Sequence, residues 1–270
     1  MRLLLNSLPK SGTSLAQKLL RLADIRYSGK SIAASSLFGK NVFIKRLLRQ
    51  PGLSELPVPI GLDVPVCASP SWLHRYLQNA DGYVSGHAAY SDHFFEVLQD
   101  QRYLTIQAVR HPAAVIVSWA NYIIEPGYYW NSASVAMQKL SFEERLRVII
   151  NGGRLADVYY PKFEDILVRI SGWFEMQRAF VVKYENLVGA QGGGDDDLQR
   201  DTIGRVLEYL GVEASTSRIE SIARDLYGGT HTFRKGKTDT WKDVLKPDMA
   251  AAINRLLEAN PFLADLDYAV

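Results

Sequence analysis

The chain opens Met1-Arg2-Leu3-Leu4-Leu5-Asn6-Ser7-Leu8-Pro9-Lys10-Ser11-Gly12-Thr13-Ser14-Leu15, and this stretch decides the fold. Leu3 to Asn6 reads as a short buried strand and Ser7 to Thr13 as a polar turn. Ser14 to Asp24 reads as a helix, with Leu15, Leu19, Leu22 and Ala23 on one face. A strand that passes through a glycine turn into a helix can cradle an anion. Gly12 lets the backbone approach a ligand closely. The first N–H groups of the helix point into the turn, and the helix dipole favours negative charge there. Thr13 and Ser14 add hydroxyl donors, and Lys10 adds a mobile positive charge. The stretch therefore predicts a phosphate site at Lys10, Ser11, Gly12, Thr13 and Ser14. Taken alone, it is equally an ordinary helix start with a lysine beside it. It is not a Walker A loop, which needs Gly, four residues, then Gly-Lys-Ser/Thr. Here the lysine precedes the glycine, and Asn6 or Ser7 stands where the first glycine belongs.

Outward from this turn, strands and helices alternate. Tyr83 to Gly86 reads as a strand, followed by a helix at Asp92 to Asp100. Tyr103 to Val109 reads as a strand ending at Arg110, with Pro112 starting a helix that runs to about Tyr122. Ser141 and Glu144 form a capping-box pattern. Ile166, Ile170, Trp173 and Phe174 mark a helix, and Phe180 to Tyr184 a strand. Helices follow at Ile203 to Leu210 and Ile219 to Leu226, stopped by Gly211 and Gly228, with a last one marked by Met249, Ile253, Leu256 and Leu257. Residues 26 to 80, with Pro51, Pro57, Pro59, Pro65 and Pro70, read as irregular surface excursions. Gln191 to Asp197 reads as a flexible solvated loop whose aspartates do not match a calcium-loop spacing. The alternation predicts an α/β fold in one domain over residues 1–270, with a central parallel sheet flanked by helices on both faces.

The 270 residues are 47% hydrophobic and carry 31 Lys and Arg against 29 Asp and Glu. The net charge of +2 argues against a nucleic-acid partner bound by bulk charge, while leaving room for a local basic site. The single cysteine, Cys67, excludes an intrachain disulfide framework and a Cys-rich zinc site. No stretch is apolar for the roughly 20 residues that a bilayer span requires. A core strand that starts at residue 2 makes a cytoplasmic protein the expectation.

Two further segments suit an anion. Arg110 ends a predicted strand, where ligands of open α/β sheets sit, and Ser118 lies eight residues on. Arginine grips a phosphate through two parallel hydrogen bonds, and a serine hydroxyl completes the contact. Thr232-Phe233-Arg234-Lys235-Gly236-Lys237 then places three cations around a glycine.

The order Pro9-Lys10-Ser11-Gly12-Thr13-Ser14 resembles the 5′-phosphosulfate loop of cytosolic-type sulfotransferases, which use 3′-phosphoadenosine 5′-phosphosulfate (PAPS) and release PAP. Arg110 to Ser118 resembles that family's 3′-phosphate motif, although His111 and Ala113 stand where the family usually has Asp and Arg. Arg234-Lys235-Gly236 resembles its C-terminal segment over the same phosphate. The resemblance implies a sulfotransferase domain with a P-loop-like core, acceptor-side insertions at 26 to 80 and 123 to 140, and no metal.

It implies further that His87, in Tyr-Val-Ser-Gly-His, is the catalytic base and that Lys10 steadies the leaving group. Tyr184 would contact the adenine edge; Phe233, which no family motif places, is a candidate for stacking on the base. Ser85 replaces a lysine that the family often carries, and Leu15 replaces its adenine-stacking tryptophan. Of the other histidines, His93 reads as a helix-surface residue and His111 as structural. Tyr122, Tyr128, Tyr129, Trp130, Phe94 and Phe95 are candidates for an apolar acceptor pocket. The expected acceptor is a hydroxyl, or an amine, of a small molecule or saccharide. Two alternatives stay open: a P-loop-type kinase using ATP, and a non-catalytic nucleotide- or glycan-binding module.

Overall fold

The computed structural model describes residues 1–33, 58–62, 67–125, 132–155, 158–175, 178–229 and 237–268. In chain order its elements are β1 (Arg2–Ser7), α1 (Thr13–Leu22), β2 (Tyr27–Ile32), β3 (Val58–Pro59), β4 (Cys67–Ala68), α2 (Pro70–Gln78), β5 (Gly82–Gly86), α3 (Asp92–Asp100), β6 (Leu104–Val109), α4 (Pro112–Tyr122), α5 (Ser132–Gln138), α6 (Phe142–Asn151), β7 (Gly153–Leu155), β8 (Val158–Tyr160), α7 (Phe163–Ser171), β9 (Phe180–Lys183), α8 (Tyr184–Leu187), α9 (Asp196–Tyr209), α10 (Thr216–Leu226), α11 (Pro247–Glu258) and α12 (Pro261–Ala264). They group into two compact units, one of residues 1–109 and 172–238, the other of 110–171 and 239–270.

The first unit holds a five-stranded sheet in the order β2-β5-β1-β6-β9, and every pairing is parallel. Leu3, Leu4 and Leu5 are fully buried, because a parallel strand covered by helices is apolar on both faces. Leu3 and Leu5 share one core cluster with Leu15 and Leu19 of α1, Ile203 and Val206 of α9 and Leu226 of α10. Gly86 and Leu4 sit on the opposite face. The chain leaves β1 towards one side of the sheet and, after β5, crosses to the other. The crevice beside β1, at the carboxyl ends of the strands, is where such a sheet takes a ligand.

The second unit is mostly helical. Ser141 and Glu144 close the predicted capping box on α6 in both directions. Arg145 is buried and donates from Nε to the carbonyl of Ala120 in the last turn of α4, which ties α4 to α6. Among the described residues, no helix is long and apolar enough to cross a membrane.

Three expectations need correction. The 26 to 80 stretch contains β2 and α2. In α2, Ser69 caps the first turn by accepting from the Trp72 N–H, Pro70 sits at the first helical position, and Leu73 and Leu77 are buried. At β2, the Tyr76 hydroxyl donates to the Ser31 carbonyl and accepts from the Ser31 N–H, so a side chain covers the outer edge. The 191 to 197 stretch is not a plain loop: it runs from a 3-10 turn at Ala190–Gly192 into the start of α9. Asp195 caps α9 by accepting from Leu198 N–H, Asp196 accepts from Ala190 N–H at 2.7 Å, and Thr238 donates its N–H to the Gly192 carbonyl. Its aspartates sit where the dipole favours negative charge. Finally, α7 ends at Ser171, so Trp173 and Phe174 lie beyond it; Gly172 follows, where a Cβ would fall 2.2 Å from the Tyr90 ring.

Candidate functional site

The turn after β1 has the features that suit an anion. Lys10 (φ 69°) and Gly12 (φ 95°) both adopt the left-handed conformation, which folds the loop back over the start of α1. Gly12 caps the helix with its carbonyl, accepting from Leu15 and Ala16 N–H, and no side chain caps the first turn. No acidic residue lies in that turn. Ser11 is fully buried, and its hydroxyl has no hydrogen-bond partner among the described residues. A buried hydroxyl left unsatisfied costs about 1–3 kcal/mol, a penalty that an anionic oxygen seated in the turn would remove.

Around this turn the structure gathers three predicted site residues. Tyr184 begins α8 at the carboxyl end of β9 and packs against Gly12, where a Cβ would come within 2.7 Å of the Tyr184 ring. Thr13 Oγ1 lies 2.6 Å from the Ser7 hydroxyl. His87 follows β5, beside the end of β1, where Asn6 pairs with Gly86. The His87 Nδ1 atom lies 2.9 Å from the Ser7 carbonyl oxygen and 3.2 Å from the Ser7 hydroxyl. A carbonyl only accepts, so Nδ1 carries a proton, and in the neutral ring Nε2 then carries the lone pair. That is the tautomer a general base requires.

Ser85 is buried, and its hydroxyl accepts from the Gln17 amide at 3.0 Å. A neutral pair therefore stands where the resembling family carries a lysine. Leu15 packs into the core cluster, so it offers no face to a base. Arg110 directly follows β6, and Ser118 lies two turns into α4; both belong to the second unit. Phe233, Arg234, Lys235 and Gly236 lie outside the described residues, as do Tyr128, Tyr129 and Trp130.

His231 lies outside the described residues, and the other three histidines have local partners. His93 pairs with Glu96 on the surface and His74 with Asp100. His111 caps α4, accepting the Ala113 N–H at Nδ1, and its ring stacks on Trp241 with centroids 4.5 Å apart. Phe94 is fully buried and packs edge-on against Trp173, which makes it core rather than pocket wall. The sequence reading missed Ser7 as the partner of His87 and Asn6 as a clamp on the residue after it. Their signal was polarity at strand positions otherwise held by leucines.

No family model and no curated protein sequence matches this chain. Among solved structures, it is similar to mouse sulfotransferase SULT7A1 complexed with PAP, at 14% identity and a TM-score of 0.61, over 99% of this chain and 89% of that one. It is also similar to retinol dehydratase in complex with androsterone and inactive cofactor PAP, at 13% identity and a TM-score of 0.59, over 96% of this chain and 80% of that one. The fold is that of the sulfotransferases. The helix-flanked parallel sheet is the architecture expected from the alternation of strands and helices, and the P-loop-like core is the one the resemblance implied.

Proposed function

We propose that the chain transfers a sulfuryl group from PAPS to a hydroxyl of a small-molecule or saccharide acceptor and releases PAP. The observation that carries this reading is the pairing of two features beside β1: a glycine turn holding a buried hydroxyl, and an imidazole whose Nδ1 proton is fixed on the Ser7 carbonyl. The first suits a phosphosulfate, and the second suits a base for the hydroxyl that attacks it. The two solved structures both carry PAP, which supports the donor.

In this reading the acceptor hydroxyl gives its proton to His87 Nε2 as its oxygen bonds to sulfur. The bond between sulfur and the bridging phosphate oxygen breaks, and its electron pair leaves with PAP. Lys10 neutralises charge that builds on the bridging oxygen, an interaction that is strongest in the transition state. Ser11 to Ser14 hold the 5′ end, and Tyr184 shields it beside Gly12. Arg110 and Ser118, with Arg234, Lys235 and Gly236, supply contacts to the 3′-phosphate, and Phe233 is the candidate for stacking on the base.

The test is release of PAP from labelled PAPS with a panel of phenols, sterols, amines and saccharides. His87→Ala is expected to lower turnover by ~10³-fold or more, the scale of lost acid–base catalysis plus positioning, with PAP affinity changed by less than ~3-fold. Turnover retained in that variant removes His87 as the base. Tighter binding of ATP than of PAP, with magnesium-dependent phosphoryl transfer, replaces the reading with a kinase. PAP binding without turnover on any acceptor leaves a nucleotide-binding module.

A further inference from the structure

We propose that Asn6 is the positioning residue for the His87 base; the proposal rests on the sulfuryl-transfer reading and deepens it. The backbone ladder between β1 and β5 ends at the Asn6–Gly86 pair. His87 and Ala88 lie beyond it, where a strand end ordinarily turns to water. Here the Asn6 side chain carries the pairing further. Its Oδ1 accepts the Ala88 N–H at 2.8 Å, and its Nδ2 donates to the Ala88 carbonyl at 3.0 Å. Both backbone groups of the residue after the base are thus taken by one amide.

The clamp is braced from behind. Asn6 Nδ2 also donates to Gln107 Oε1 at 2.9 Å, and Gln107 Nε2 donates to the Ala108 carbonyl. Trp173 Nε1 brings a second donor to the Ala88 carbonyl at 3.1 Å. Asn6 and Gln107 are fully buried, so these bonds do not compete with water. On the near side, the His87 N–H donates to the Ile32 carbonyl at 2.8 Å. Gly86 leaves the space the amide occupies: a Cβ there would fall 2.8 Å from Asn6 Oδ1.

Two adjacent β1 residues therefore divide the work on one imidazole. Ser7 sets the tautomer through its carbonyl, and Asn6 fixes the backbone from which the ring projects. A misplacement of about 1 Å in a reacting group costs on the order of 10²-fold in rate. Asn6 touches neither acceptor nor donor; it acts through His87.

The test uses Asn6→Ala and Gly86→Ala in the full chain. Gly86→Ala presses a methyl onto Asn6 Oδ1 without removing any polar group, so it carries the test if Asn6→Ala fails to fold. Three quantities are read on folded protein: kcat and KM with PAPS and acceptor, PAP affinity by calorimetry, and the His87 ring ¹⁵N shifts. The expected result is a kcat fall of ~100-fold, PAP affinity within ~3-fold of the parent, and a His87 spectrum that moves from the Nδ1–H form to a mixture of tautomers. Asn6→Asp, which keeps the acceptor for the Ala88 N–H, is expected to recover part of the kcat. A kcat within ~3-fold of the parent in either folded variant, or an unchanged His87 tautomer, overturns the proposal. If the parent transfers no sulfuryl group, the functional reading fails, and the ¹⁵N arm still decides whether Asn6 sets the ring.

Discussion

The turns after β1 and β6 look alike in outline and differ in what they leave for a ligand. Each follows the carboxyl end of a strand in the same parallel pair and leads into a helix. After β1, the helix starts from Gly12 in a left-handed conformation with no side-chain cap, so the backbone itself is offered. After β6, the first helical position is Pro112, which has no N–H, and His111 accepts the next one from Ala113. The backbone there is already spent on its own fold. On the proposed reading the second turn contributes side-chain chemistry, the Arg110 guanidinium and the Ser118 hydroxyl. A site at the first turn depends on conformation, whereas a site at the second depends on charge.

Substitutions can break this comparison. Gly12→Ala attacks the first turn at its conformation. The left-handed φ disfavours a side chain by about 1–2 kcal/mol, and the methyl would meet the Tyr184 ring. The expected outcome is a loss of PAP affinity of ~100-fold or more by calorimetry, since each tenfold is about 1.4 kcal/mol. Arg110→Ala attacks the second turn at its charge. Losing a hydrogen bond to a charged group, about 1.5–3 kcal/mol, weakens PAP by ~10- to 100-fold but leaves adenosine 5′-phosphosulfate, which lacks the 3′-phosphate, within ~3-fold. An equal loss on both ligands would remove Arg110 from the 3′-phosphate.

Stability sharpens the contrast further. Tyr103 precedes β6 and donates its hydroxyl to the Leu77 carbonyl from a buried position. Burial pushes its phenol up to about 12 from an ordinary 10.0. The folded protein thus holds this proton more tightly than the unfolded chain. The contribution is complete below pH 10 and drains away between 10 and about 12, by roughly 3 kcal/mol at its full extent. Urea midpoints should fall over that window, and Tyr103→Phe should flatten part of the fall. The smallest effect is expected from His111→Ala, which removes a cap at a cost of about 1 kcal/mol and should leave PAP affinity within ~3-fold. A large loss of PAP affinity there would mean that the second turn, too, binds through its backbone.

The strands β1, β5, β6 and β9 were legible because each is a short apolar run ending at polar residues, and α3 and α4 match their predicted spans. β2 was not legible because its residues, Tyr-Ser-Gly-Lys-Ser-Ile, carry no apolar run; as the outer strand of the described sheet it is only partly covered. α2 had its signals in Ser69, Pro70, Leu73 and Leu77, but they sit among prolines that suggested a loop. At the site, the Lys-Ser-Gly order spelled out the turn by itself, since everything it needs is local. The Asn6 clamp joins residues 82 and 101 positions apart, and only the assembled sheet brings them together. The tautomer of His87 was hidden for the same reason.

Lys10 holds a backbone conformation that a residue with a side chain adopts at a cost of about 1–2 kcal/mol. A turn chosen only for durability would place glycine there and melt at a higher temperature. On the proposed reading, keeping an ammonium at that corner trades resilience for reactivity, so a Lys10→Gly chain should emerge as the hardier protein and the idle one.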